Sequence, residues 1–321
     1  MTKKDIKLLK KLNLNYFYML KFLLFSAIMK TKKGRCKMNF LEKLLTLLDS
    51  KMTRPESYGW FHLLVWALVI ASATLLCISY KKKCAPDPEK LVFITSLVVI
   101  FLEVYKQINY TFSVGNGGIT ADFQWYAFPW QFCSMPMYVG ALTGVFKKGK
   151  IHESLLAFLA TFSVFAGLCV LFYPNDIFVE TIGINIQTSI CHGVMPVLGF
   201  YLFYTGRVKA EHTTILKAIP VFATAVFIAV IINEAAYRTG LLETDTFNMF
   251  FVSPHCEPSL PVYSLVQAVV PFPRCLIIYI AAFSLAAYVI LLIAIALKSI
   301  FKTKSPLPVI TYKEKETVEQ K

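Results

Sequence analysis

CLIIYIAAFSLAAYVILLIAIAL, residues 275–297, runs for 23 residues without one charged side chain. At 1.5 Å of rise per residue, about 20 such residues in a helix cross a hydrocarbon layer ~30 Å thick. The apolar residues are continuous rather than alternating, which argues against a barrel strand. Six further stretches read the same way: 60–80, 91–110, 128–146, 154–173, 184–205 and 215–237. The expected fold is an all-α polytopic membrane bundle of six to seven transmembrane helices over 60–300, with no soluble domain.

The net charge of +14 resembles a nucleic-acid signal until it is mapped. Residues 1–37 hold eleven Lys/Arg against Asp5 alone, and most of the remainder falls in short loops. The loops 81–90, 147–150, 206–217 and 298–321 carry 16 Lys/Arg, whereas 106–127, 174–184 and 238–274 carry 3. Positive charge is retained on the cytoplasmic side. The reading is therefore a multi-pass cell-membrane protein with a cytoplasmic C-terminus, surrounded by membrane lipids and binding no nucleic acid. A homo-oligomer is left open.

Seven spans with an inside C-terminus place the residues before Trp60 outside, where a segment as basic as 1–37 should resist translocation. Three readings stand: a start at Met38, a cleaved signal or extra anchor over 13–29, or local failure of the charge rule. Residues 1–59 are thus a basic extension followed by an amphipathic helix. In 39–52 the apolar side chains Phe40, Leu41, Leu44, Leu45, Leu47 and Leu48 suit the membrane interface. Residues 301–321 form a charged tail. The cysteines at 36, 77, 84, 133, 169, 191, 256 and 275 show no paired spacing and no metal pattern with histidine, so no disulfide framework, metal or cofactor is expected.

Polar side chains inside the spans cluster toward one end: His62, Glu103, Cys133, His192, Asn233 and Glu234. Ionisable groups in hydrocarbon are costly, and their shared depth points to one polar chamber below the outer headgroups. In span two, Glu103 shares a face with Gln107 and Tyr110, and either pairs with Lys106 or orients an imidazole. Span three opens on Pro129, expected in a first turn, with Pro136 expected to kink it; Gly140 and Gly144 form a close-packing motif. Asn185, Thr188, Ser189 and His192 make a polar stripe in span five, and an imidazole is the natural proton carrier near neutrality. Glu234 is better read as a structural partner of Arg238. His152, His212 and His255 lie in loops.

The run Phe128-Pro129-Trp130-Gln131-Phe132-Cys133-Ser134 resembles the Leu-Pro-Leu-(His/Gln)-Leu-Cys-Ser stretch of YwaF-type bacterial membrane proteins. Leu102-Glu103-Val104, Gly167 before Pro174, His192 before Pro196, Asn248-Met249-Phe250-Phe251, Pro258-Ser259-Leu260 and Pro271-Phe272-Pro273 follow in the family's order, over about 58–300. That family is similar to the transmembrane protein 164 group, associated with a Cys/His acyltransferase making ether phospholipids. More distantly it is similar to the androgen-induced Thr/His lipid hydrolases. The resemblance implies that His192 matches the catalytic histidine. The eukaryotic cysteine falls nearer Trp130, and Gln131 stands where relatives often have His.

Two readings follow. In one, the protein is a membrane phospholipid acyltransferase or lipid hydrolase. His192 is its base, Glu103 or a helix amide orients the base, and Cys133, Ser134 or water attacks an ester. Gln131 or Asn248 would face the oxyanion and Ser189 the substrate. In the other, it is a non-catalytic assembly protein or a small-solute transporter. A polar track continuing to the inner face would favour transport, and a one-sided pocket would favour lipid chemistry.

Overall fold

The computed structural model describes residues 39–115, 117–175, 177–239, 247–256 and 260–302. The expected alternatives for 1–37, including Met38 and an anchor over 13–29, lie outside the described residues, as does most of the tail. Among the described residues, six helices are long and apolar enough to cross a membrane. They are α2 (Trp60–Lys81), α3 (Pro88–Thr111), the broken run α5 (Gly149–Ala160) and α6 (Phe162–Phe172), α7 (Ile182–Tyr204), α8 (Thr213–Thr239) and α10 (Arg274–Lys302). The protein is an all-α polytopic bundle. Between α3 and α5 lies a shorter apolar segment whose helix, α4, covers Met135–Val145.

That segment departs from the sequence reading. Residues 129–131 are not helical, and Phe132–Ser134 forms a single 3-10 turn. Pro136 therefore lies in the first turn of α4, where its missing N–H costs little, and it starts the helix instead of kinking it. Backbone without helical bonds is tolerated at membrane depth only against protein. Here Trp130 Nε1 donates to Ala225 O at 3.3 Å and Tyr138 Oη to Pro129 O at 2.9 Å.

The run Gly149–Phe172 and α7 are the most buried spans, and α7 packs against α2, α3, α5 and α6. Helices in lipid gain little hydrophobic energy from meeting, so close backbone approach matters more. Glycines provide it. A Cβ on Gly140 would collide with Ser96 of α3, and one on Gly144 with Phe93. A Cβ on Gly199 would lie 3.0 Å from the Leu159 carbonyl, beside the α5–α6 break at Thr161.

The chain ends of the spans sort into two sets. One joins α3 to the α2, α5 and α7–α8 connections and is rich in Lys/Arg. There Glu89 pairs with Arg207, its carboxylate lies 3.1 Å from buried His152, and Glu153 pairs with Lys217 at 2.7 Å. The other end carries the hairpin β1 (Phe112–Gly115) and β2 (Gly118–Ala121), and two short helices, α1 (Phe40–Leu48) and α9 (Pro261–Val269). Asn39 and Glu42 form a reciprocal capping box on α1, whose Phe40, Leu44 and Leu47 are exposed. Residues beyond it pair with 180–182: Met52 N donates to Glu180 O and Ile182 N to Ser50 O.

Gly140→Ala should lower the thermal midpoint in detergent, at a cost of about 1–3 kcal/mol for overpacking. Ser96→Gly should recover part of that loss in the double variant. Additive losses would show that the two positions do not meet.

Candidate functional site

Glu103 lies two turns from the end of α3 and is 7% exposed. Its Oε1 accepts from Lys106 Nζ and from Gln107 Nε2, each at 2.8 Å. Gln107 Nε2 also donates to Ala127 O at 2.8 Å, tying the segment before α4 to α3. Across the bundle, Gln187 Nε2 lies 3.5 Å from Glu103 Oε2 and 3.3 Å from Cys191 Sγ. Glu103 thus orders amides and a lysine, and no hydrogen bond joins it to His192 among the described residues.

The orientation of His192 comes from its own helix. Its Nδ1 lies 2.7 Å from Thr188 O and 3.2 Å from Thr188 Oγ1. A carbonyl accepts only, so Nδ1 carries the proton and Nε2 of the neutral ring keeps its lone pair. Pro196, four residues on, offers no N–H to the His192 carbonyl. Gly167 of α6 packs there: a Cβ would be 2.7 Å from His192 O and 2.9 Å from Pro196 Cδ.

Cys133 is half-buried at the 3-10 turn and shares a small cavity with buried Cys191, whose lining includes Ser96, Val99, Met137 and Ser163. Its volume of about 20 Å³ matches a single water. Cys133 is not hydrogen-bonded to His192 or Glu103; its neighbour Ser134 is its hydroxyl contact. Sequence reasoning passed over Cys191 and Gln187 as site residues and read Lys106 as a partner of Glu103. The i,i+4 pair Gln187–Cys191, on a face of span five apart from the stripe that ends at His192, was the available signal.

Other expected site residues hold the backbone. Gln131 Nε2 donates to Asn248 O at 3.1 Å, while its Oε1 accepts from Phe250 N at 2.8 Å. Asn233 treats Met249 in the same way, donating to its O at 3.0 Å and accepting from its N at 2.8 Å. Asn248 Oδ1 accepts from Ser253 N. Both amide ends of Gln131 are therefore committed to the loop, and the Asn248 carboxamide oxygen caps a turn. Ser189 Oγ donates to Asn185 O. His62 is bonded on both ring nitrogens, to Tyr58 N at 2.9 Å and Leu171 O at 2.7 Å, which finishes the end of α6. Glu234 pairs with Arg238 and with His255 at 2.8 Å on the surface. The polar groups thus divide into a set around Glu103 with Cys191 and Cys133 beside it, His192 bonded within its own helix, and separate structural ties. Among the described residues no three His, Cys, Asp or Glu side chains are grouped to hold a metal.

A model of the TMEM164 family matches residues 57–296. The chain belongs to the TMEM164 family. Among the described residues the match takes in five of the six membrane-crossing helices whole and α10 as far as residue 296, and it includes Glu103, Cys133, Cys191 and His192. No curated protein and no solved structure matches the chain.

Gln131→Leu should leave Asn248 O and Phe250 N unpaired, at about 1–3 kcal/mol for each buried group. Amide exchange at residues 249–252 should accelerate while exchange in α2 stays unchanged. Equal protection in both proteins would contradict the clamp.

Proposed function

We propose that this TMEM164-family protein is a thiol-dependent acyltransferase or hydrolase of phospholipid esters, acting from the Lys/Arg-poor side of the cell membrane with its C-terminus in the cytoplasm. The observation that carries the reading is the one-sided distribution of polar groups. Glu103, Cys133, Cys191 and His192 lie toward one end, and the middle of the bundle is closed by aromatic rings. Phe158, Phe162, Phe222 and Phe250 are each 0% exposed. Phe162 and Phe222 stack at 4.7 Å, and Phe132 meets Phe222 at 5.3 Å. A transport path would need polar continuity through this layer.

In the proposed chemistry the Cys133 thiol yields its proton to His192 Nε2, and sulfur attacks the acyl carbonyl. Collapse of the adduct breaks the ester bond, and His192 returns the proton to the departing lysolipid oxygen. The thioester then passes its acyl group to water or to a lipid hydroxyl, regenerating the thiol. The Nδ1–H bond to Thr188 O steadies the ring while Nε2 carries the extra proton. Thiol and imidazole are separate here, and catalytic hydrogen bonds often tighten only with substrate in place. Acyl-CoA is not supplied on the outer side, so the acyl donor is a membrane phospholipid.

Purified protein in phospholipid vesicles should turn over lipid esters. His192→Ala and Cys133→Ala should each lower the rate by about a hundredfold or more. His212→Ala, at the opposite end, should leave it unchanged. Absence of turnover, or wild-type rates in both site variants, would refute the proposal.

A further inference from the structure

Cations at the Lys/Arg-poor end are distributed unevenly. Among the described residues, Lys43, Lys51, Arg54, Arg238 and Arg274 are all exposed there. Lys51 pairs with Asp49 at 2.6 Å, Arg54 donates to Asn175 O at 2.5 Å, and Arg238 pairs with Glu234. Lys106 differs. Its side chain is 19% exposed and turned into the bundle, against a carboxylate 10% exposed. Taking such a pair out of water costs several kcal/mol per ion, which mutual attraction repays only with good further bonding.

That further bonding is incomplete. An ammonium has three donors, and Glu103 Oε1 is the hydrogen-bonding partner of Lys106 among the described residues. The same oxygen also serves Gln107, so Lys106 keeps donor capacity. Lys106 lies five residues from the end of α3, about 7.5 Å below it. Through Glu103 it is tied to Gln187, whose Nε2 lies 3.3 Å from Cys191 Sγ in the cavity shared with Cys133.

We infer that Lys106, held by Glu103 and Gln107, is the specificity-determining contact for the phosphodiester of a bound phospholipid. This inference rests on the lipid-ester reading of the same site. The ammonium holds the headgroup phosphate while the acyl ester lies toward Cys133. A neutral glyceride with the same chains lacks the anion and binds without this contact.

The test compares phosphatidylcholine with diacylglycerol of identical chains in mixed micelles. Turnover is read together with binding, followed by quenching of Trp125 and Trp130 fluorescence with brominated chains. The wild type should favour the phospholipid about tenfold or more in binding, the range of a charge-assisted hydrogen bond. Lys106→Gln should bring the two lipids to near parity, and Lys106→Arg should keep most of the preference. If Lys106→Gln fails to fold around an unpaired carboxylate, the double variant Glu103→Gln/Lys106→Gln removes both charges and should show the same parity. A folded neutral variant with wild-type preference would overturn the inference. So would inorganic phosphate competing as well as the lipid at constant ionic strength. Absence of turnover in the wild type would sink the enzymatic reading instead, and the binding preference would still decide the role of Lys106.

Discussion

Backbone that leaves the helix inside a membrane protein must find its hydrogen bonds from side chains, and two carboxamides meet that demand here. Gln131 and Asn233, on opposite sides of the loop, each grip one stretch of residues 248–250 through a donor and an acceptor. Tyr279 Oη adds a bond to Phe250 O at 2.9 Å. Held this way, Phe250 and Phe251 both adopt φ of 57°, a region bulky side chains rarely enter. The consequence is a loop that descends into the bundle, with Met249, Phe250 and Val252 fully buried. Its Phe250 ring joins the aromatic layer in the middle of the bundle, against Phe132 and Phe222.

Glu103, Lys106, Gln107 and Gln187 form one connected set. His192 is set apart by its bond to Thr188 O and by the packing of Gly167 against its carbonyl. The helix supplies the tautomer, leaving Glu103 free for a different task. Cys133 lies at the start of a helix that begins late because Pro129 and Pro136 bracket a non-helical approach. A shorter helix leaves Cys133 beside a water-sized cavity.

Much of the bundle was legible in the sequence, because long uncharged runs have few alternatives to a membrane helix. The stripe ending at His192 was legible for the same reason: buried polar residues at helical spacing stand out in an apolar run. The start of span three was not. Its apolar composition is equally compatible with a helix and with an extended segment sheltered by Ala225 and Tyr138, and only tertiary contacts choose between them. Gln131 and Asn248 read as substrate contacts because nothing local reveals that their partners are backbone groups more than a hundred residues away, or in a turn five residues on. Lys106 was legible as a partner of Glu103. Its distinction from the other cations at that end depends on burial, which spacing along one helix does not encode.

The central claim is that Cys133 is an acyl acceptor in a one-sided polar chamber served by His192. Its most direct test is to incubate the protein with phospholipid carrying a labelled acyl chain, quench in acid, and map the label by peptide mass spectrometry. The account predicts a hydroxylamine-labile acyl group on Cys133, reduced to background by His192→Ala. Label on Cys191 instead, or no label on any cysteine while lipid is consumed, would contradict it.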